Sequence, residues 1–91
     1  MTRARKNISG NIKVERAIMF KSGDVGFNMI YNGVILYRMT RKTGEDEDGE
    51  YYWFAFPGYK GNDGKYWKYY YVNFTEEEQD LINQQIEDLL S

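Results

Sequence analysis

Residues 51 to 74 have the sequence YYWFAFPGYKGNDGKYWKYYYVNF, which holds most of the aromatic residues of the 91-residue chain. Aromatic side chains fit a pleated, half-buried surface, so this stretch predicts two strands. Pro57-Gly58 and Asn62-Asp63-Gly64 predict turns, because glycine supplies a positive φ that asparagine and aspartate also tolerate. A chain this short cannot bury every ring, so we expect some of them on a surface that is available to a partner.

Alternation of apolar and polar residues extends the strand prediction toward the N-terminus. The pattern predicts five strands, over residues 12–20, 25–31, 34–39, 50–56 and 65–74. Asn32-Gly33 stands between two apolar runs, which favours a two-residue hairpin between the second and third strands. Residues 40–49 are polar and predict a loop.

The same alternation predicts which side chains face the core. We expect buried faces made of Ile12, Val14, Ile18 and Phe20, of Tyr52, Phe54 and Phe56, and of Tyr70, Val72 and Phe74. The opposite face of the sheet would then carry Trp53, Trp67, Tyr69 and Tyr71 beside lysines.

A helix is predicted after the last strand. Thr75 and Glu78 have the spacing of a capping box, and three acids in a row suit the positive end of the helix dipole. An apolar stripe at helical spacing follows, made of Leu81, Ile82, Ile86, Leu89 and Leu90. The predicted fold is α+β, an antiparallel meander of four to five strands followed by one C-terminal α-helix. Residues 11–91 form its single domain, and residues 1–10 are predicted to be a flexible basic arm.

Charge is segregated along the chain although the formal net charge is only −2. Residues 1–21 carry six basic side chains against the single acid Glu15, and residues 75–91 carry six acids and no base. Such segregation favours a polar partner surface.

Composition also limits the chemistry. The chain has no cysteine and no histidine, which removes the thiolate ligand, the commonest zinc ligand and the commonest general base. We therefore expect no enzyme activity, no metal site and no cofactor. No long apolar run or signal peptide is visible, so we expect no membrane association and a cytoplasmic location. A small core and an aromatic surface favour a homodimer.

Rings that stack bases, interleaved with cations that follow phosphates, are typical of single-stranded DNA or RNA binding. This interpretation assigns a nucleic-acid-binding face to Lys13, Lys21, Trp53, Tyr59, Lys60, Lys65, Trp67, Lys68, Tyr69 and Tyr71. The competing interpretation is a dimer interface, because tyrosine and tryptophan are enriched there as well.

An acidic segment supports a second hypothesis for function. The protein would bind a basic protein surface, as an inhibitor encoded by a phage or mobile element does when it blocks a host nucleic-acid-binding or defence protein. The residues that would carry this role are Glu45, Asp46, Glu47, Asp48 and Glu50.

Residues 50–91 resemble the sporulation stage V protein G (septation regulator) family. Phe56-Pro57, Lys60, Asp63-Gly64 and the helix from Thr75 occur in the order in which that family has a strand ending in proline, a basic turn and a C-terminal helix. The resemblance implies a small antiparallel sheet with a helix, dimer formation and nucleic-acid binding. The family's helix region carries basic residues, whereas this helix is wholly acidic. The order of elements is also similar to the single-strand-binding positive cofactor four fold.

Overall fold

A computed structural model of the chain describes residues 11–91. It contains six strands and one helix in that part of the chain. These are β1 (Ile12–Met19), β2 (Val25–Tyr31), β3 (Val34–Asp46), β4 (Gly49–Ala55), β5 (Gly58–Lys60), β6 (Tyr66–Lys68) and α1 (Glu76–Leu90). The predicted arm at residues 1–10 lies outside the described residues.

Strands β1 to β4 form an antiparallel sheet in the order β1-β2-β3-β4, and β5 and β6 form a separate two-stranded sheet. The predicted α+β class, the antiparallel meander and the C-terminal helix are therefore confirmed. The predicted fifth strand over 65–74 is wrong in extent and in pairing. Only Tyr66–Lys68 is strand, and it pairs with β5 instead of extending the large sheet.

The hairpin between β2 and β3 forms as predicted. Asn32 has φ +50° and Gly33 has φ +85°, the two positive values that a tight turn of this kind requires. Strand β3 then runs on to Asp46, so the predicted loop over 40–49 is wrong for most of its length. Pairing of β3 with β4 continues to Asp46 and Gly49, which leaves only two residues in the turn.

A bulge in β1 reverses the prediction for the second half of that strand. Val14 pairs with Met29 but Arg16 pairs with Asn28, so Glu15 is an extra residue. Because one extra residue exchanges the two faces of a strand, Ile12 and Val14 are buried while Ile18 is 57% and Phe20 50% exposed. The prediction that all four share the core face is therefore wrong.

The core lies between one face of the sheet and α1. Eleven hydrophobic residues are buried there, namely Ile12, Val14, Val25, Phe27, Met29, Leu36, Met39, Phe56, Phe74, Ile82 and Ile86. The helix packs chiefly against β1 and begins at the predicted capping box, in which the Thr75 hydroxyl accepts from the Glu78 amide at 3.1 Å. The reciprocal bond from the Thr75 amide to the Glu78 carboxylate is 2.9 Å long. Leu89, predicted to lie in the stripe, is 48% exposed.

Gln85 of α1 occupies part of the open edge of β1. Its amide oxygen accepts from the Val14 amide at 2.7 Å, and its amide nitrogen donates to the Ile12 carbonyl at 2.9 Å. Two backbone groups that a neighbouring strand would otherwise pair are thus satisfied by one side chain.

Arg41 connects the sheet to the helix on the core side. Its side chain is 2% exposed, and its guanidinium lies 2.9 Å from the Glu87 carboxylate and 4.0 Å from the centre of the Tyr52 ring. Tyr52 was predicted to be buried with Phe54 and Phe56, but it is 39% exposed and covers this guanidinium at the sheet margin. Phe56 is buried as predicted.

No helix within residues 11–91 is long and apolar enough to cross a membrane.

Candidate nucleic-acid interface

The candidate site is the β5–β6 hairpin, whose closing turn has a simple local cause. The Gly61 amide donates to the Lys65 carbonyl at 2.7 Å, and the Asp63 carboxylate accepts from the Lys65 amide at 3.0 Å. Gly64 has φ +83°, a conformation that disfavours any residue with a side chain. The predicted turn chemistry thus places the two short strands side by side.

Three exposed rings lie together on this hairpin. Tyr59 and Trp67 are paired across the strands, and the Tyr59 and Tyr69 ring centres are 5.4 Å apart. The side chains of Tyr59, Trp67 and Tyr69 are 49%, 49% and 58% exposed. We call these three residues the ring platform.

Gly61 leaves room for the indole of Trp67. A Cβ atom at Gly61 would lie 2.8 Å from the Trp67 indole nitrogen, so the indole lies close against the backbone of the opposite strand. Any larger residue at position 61 would displace the indole from the platform.

The hairpin carries three lysines that have no acidic partner within residues 11–91. Lys60, Lys65 and Lys68 are exposed, and none of them forms an ion pair with any residue in the described part of the chain. Asp63 is the only acid between residues 51 and 74. Alternation along β6 places Lys65 on the same side as Trp67, whereas Lys68 lies on the other side, 5.1 Å from the Tyr71 ring.

The base of the hairpin is anchored to the core. The Tyr69 amide donates to the Pro57 carbonyl at 2.9 Å, and the Tyr70 hydroxyl donates to the Tyr37 carbonyl of β3 at 2.7 Å. Phe56 lies among the rings of Tyr70, Tyr71 and Phe74 at centre distances of 5.5, 5.1 and 5.9 Å. The platform therefore projects from a fixed support.

Seven of the ten predicted nucleic-acid-binding residues lie on the hairpin or directly after it, and three lie on other parts of the chain. The seven are Tyr59, Lys60, Lys65, Trp67, Lys68, Tyr69 and Tyr71, although Tyr71 follows the strand and packs on Phe56. Trp53 belongs to β4, where its ring stacks on Tyr51 at 5.5 Å, and it lines a small pocket with Tyr71. Lys13 lies in β1, at the opposite edge of the large sheet from β4, and three strand spacings of about 14 Å in total separate these two strands. The Lys13 ammonium is 3.8 Å from the Glu15 carboxylate. Lys21 lies in the turn after β1.

The five acids of the second hypothesis also cluster. Glu45, Asp46, Glu47, Asp48 and Glu50 occupy the tip of the β3–β4 hairpin, and all are exposed. Within residues 11–91 none of them pairs with a cation. No group of three or more acids in the described part of the chain is placed to hold a metal ion.

Two arginines were not predicted as functional residues. Arg16 and Arg38 line a groove on the face of the large sheet that α1 leaves uncovered. The only sequence signal was that Arg16 interrupts an otherwise apolar alternation, which is what a strand bulge produces. Nothing in the sequence marked Arg38.

Comparison with protein-family models, with curated proteins and with solved structures found no match to this chain. The family resemblance of residues 50–91 therefore stays a prediction.

Proposed function

We propose that this protein binds single-stranded DNA or RNA through the ring platform and the lysines around it. The observation that carries the proposal is the grouping of three half-exposed rings, Tyr59, Trp67 and Tyr69, on a hairpin whose lysines form no ion pair within residues 11–91. Every base has a flat face, so such a platform stacks bases with little regard to sequence while the lysines attract phosphates. Duplex bases are already stacked on each other, which favours single strands as the ligand.

The experiment is a fluorescence-anisotropy titration of labelled (dT)12, its RNA counterpart and a duplex across a salt series. Trp67→Ala is expected to weaken single-strand binding by about 1–3 kcal/mol, the usual contribution of one stacked base. The salt slope is expected to stay almost unchanged, because no charge is removed. Tyr66→Ala is the matched control, since Tyr66 is exposed on the same strand but alternation places it on the other side of the hairpin from Trp67, and it should leave the affinity unaltered.

Lys65→Ala tests the charged part of the site. Loss of one phosphate contact is expected to make the logarithmic salt slope shallower by about 0.7 for a single strand. Circular dichroism and light scattering must show that each variant keeps its fold and oligomeric state. The proposal fails if neither Trp67→Ala nor Lys65→Ala changes binding to any of the nucleic acids.

A homodimer is part of the proposal. Strand β4 is the last strand of the large sheet, contains no proline, and exposes Tyr51, Tyr52 and Trp53. Such an aromatic edge favours pairing with a second copy. Light scattering at micromolar concentration is expected to give twice the 10.8 kDa chain mass, and a mass that stays at one chain would refute this part.

The acidic tip supports a second candidate function, docking on a basic protein surface. Five carboxylates that pair with no cation within residues 11–91 lie on one exposed hairpin and resemble the charge density of a nucleic-acid backbone. Immobilised polylysine is a suitable probe. Replacing Asp46, Glu47 and Asp48 with their amides should abolish retention, while the matched change of Glu76, Glu77 and Asp80 on α1 should not. Equal loss in both variants would mean that net charge alone causes retention.

A further inference from the structure

The uncovered face of the large sheet contains a groove of about 390 Å³. Three strands contribute to it. Its lining includes Arg16, Ile18 and Phe20 from the β1 side, Asn28 from β2, and Arg38 and Thr40 from β3. The groove volume falls within the range of small-ligand sites.

Two bulges that meet at one residue create this groove. Glu15 and Arg16 of β1 lie opposite Asn28 from one side, and Tyr37 and Arg38 of β3 lie opposite it from the other. The Asn28 side-chain oxygen accepts from the Arg38 amide at 3.0 Å, which holds Arg38 at φ +59°. That backbone conformation is costly for a residue with a side chain, so the fold maintains it by this contact.

Both guanidinium groups are available to an anion. Within residues 11–91 neither Arg16 nor Arg38 lies in an ion pair, and residues 1–10 contain no aspartate or glutamate. The arginines stand on the two strands that flank β2, so their backbones are about 10 Å apart. The planar fork of a guanidinium group matches the geometry of phosphate oxygens, and both arginines line the same groove.

The groove also has an apolar wall. A Cβ atom at Gly26 would lie 2.8 Å from the Phe20 ring, so the ring lies directly over this glycine. Phe20 and Ile18 are 50% and 57% exposed, which leaves a ring surface free beside the two cations. A ligand that fits both parts carries a phosphate and a flat ring.

Arg38 places the groove beside the support of the ring platform. The Tyr70 hydroxyl bonds to the carbonyl of Tyr37, the residue before Arg38. Burial raises the pKa of Tyr70, and the charge of Arg38 opposes that rise, as expected of neighbours. One end of the groove therefore adjoins the base of the hairpin.

We propose that the groove binds one nucleotide of the strand held by the ring platform, with its phosphate on Arg16 and Arg38 and its base against Phe20. This inference rests on the proposed function. A strand that occupies both places requires more nucleotides than one that occupies the platform alone, so the groove contributes only above a minimum ligand length.

The test is an anisotropy titration with labelled (dT)3, (dT)6, (dT)9, (dT)12 and (dT)15. For the longer oligonucleotides, the double variant Arg16→Gln/Arg38→Gln is expected to bind about tenfold more weakly, with a salt slope shallower by about 1.4. Binding of the shortest ones should stay unchanged. Phe20→Ala should weaken long-oligonucleotide binding without altering the slope. Lys13→Gln/Lys21→Gln is the control, because it removes the same charge outside the groove.

Four outcomes separate this inference from the proposed function. The groove inference and the proposed function are both supported if the groove variants lose affinity for long oligonucleotides only and Trp67→Ala loses affinity at every length. Loss in Trp67→Ala alone overturns the groove inference and leaves the platform. If the groove variants lose affinity at every length and Trp67→Ala binds as the parent does, both binding at the ring platform and a strand shared between platform and groove are refuted. If the arginine variants change only the oligomeric state, the groove holds the acidic tip of a second copy and the inference is wrong.

Discussion

The sheet-and-helix body and the β5–β6 hairpin use the same residue types in opposite ways. The body buries its apolar side chains between β1–β4 and α1, and only Arg41 is buried among its charged residues. In the hairpin strands, every residue except Gly58 is exposed, including three aromatic ones. Since burial supplies most of the free energy of folding, the body determines stability and the hairpin depends on it for support. Ring exposure that contributes little to stability favours a role in binding.

The largest expected effect is on the body. Ile86 is fully buried, so Ile86→Ala should lower the free energy of unfolding by about 2–5 kcal/mol. Urea denaturation measures the change. Leu89→Ala is the matched control, because Leu89 lies on the same helix but is 48% exposed. An unchanged unfolding midpoint in Ile86→Ala would show that α1 does not pack on the sheet.

A smaller effect is expected at the start of α1. Thr75→Ala removes the hydroxyl that accepts from the Glu78 amide and should cost about 1 kcal/mol. Thr75→Ser keeps the hydroxyl and should recover most of that stability in the same measurement. If Thr75→Ser is as unstable as Thr75→Ala, the contribution of residue 75 does not come from the cap.

The smallest effect on global stability is expected in the hairpin. A Cβ atom at Gly58 would overlap the Trp67 carbonyl oxygen, so Gly58→Ala must separate β5 from β6. The free energy of unfolding should change by less than about 0.5 kcal/mol, because little apolar surface is buried there. Hydrogen exchange at the Gly61 and Tyr69 amides should become faster, while exchange in β2 stays unchanged. Equal acceleration in β2 would show that the two regions unfold as one unit.

Turn and capping sequences correctly predicted where the hairpin and the helix form. The errors concern how the strands pair with each other. Asn32-Gly33 and the Thr75–Glu78 capping box have their own geometric causes, and both form as predicted. The alternation of residues 12–20 is interrupted at Arg16, but this interruption alone does not establish a bulge at Glu15, because a bulge depends on the neighbouring strand. Residues 65–74 also alternate, but whether they join the large sheet depends on contacts that alternation does not specify.

The candidate site was predicted in part for the same reason. The hairpin residues are close in sequence and are connected by a recognisable turn, so their grouping was predictable. Alternation alone assigned Trp53 and Lys13 to the same face as the hairpin residues. The strand order places them on β4 and β1, which are the two opposite edges of the large sheet. Arg16 and Arg38 come together because two bulges oppose Asn28, which no local pattern indicates.

The contact between Gln85 and β1 has a consequence for stoichiometry. A sheet whose two outer strands are both open accepts copies at either end and grows into a fibre. Here the carboxamide of Gln85 acts as a substitute peptide group for Ile12 and Val14, so the first part of the β1 edge is already occupied. Pairing through β4 would then join two chains and leave a partly occupied β1 edge at each outer end. If the proposed pairing through β4 occurs, this glutamine would favour a closed pair over an open polymer.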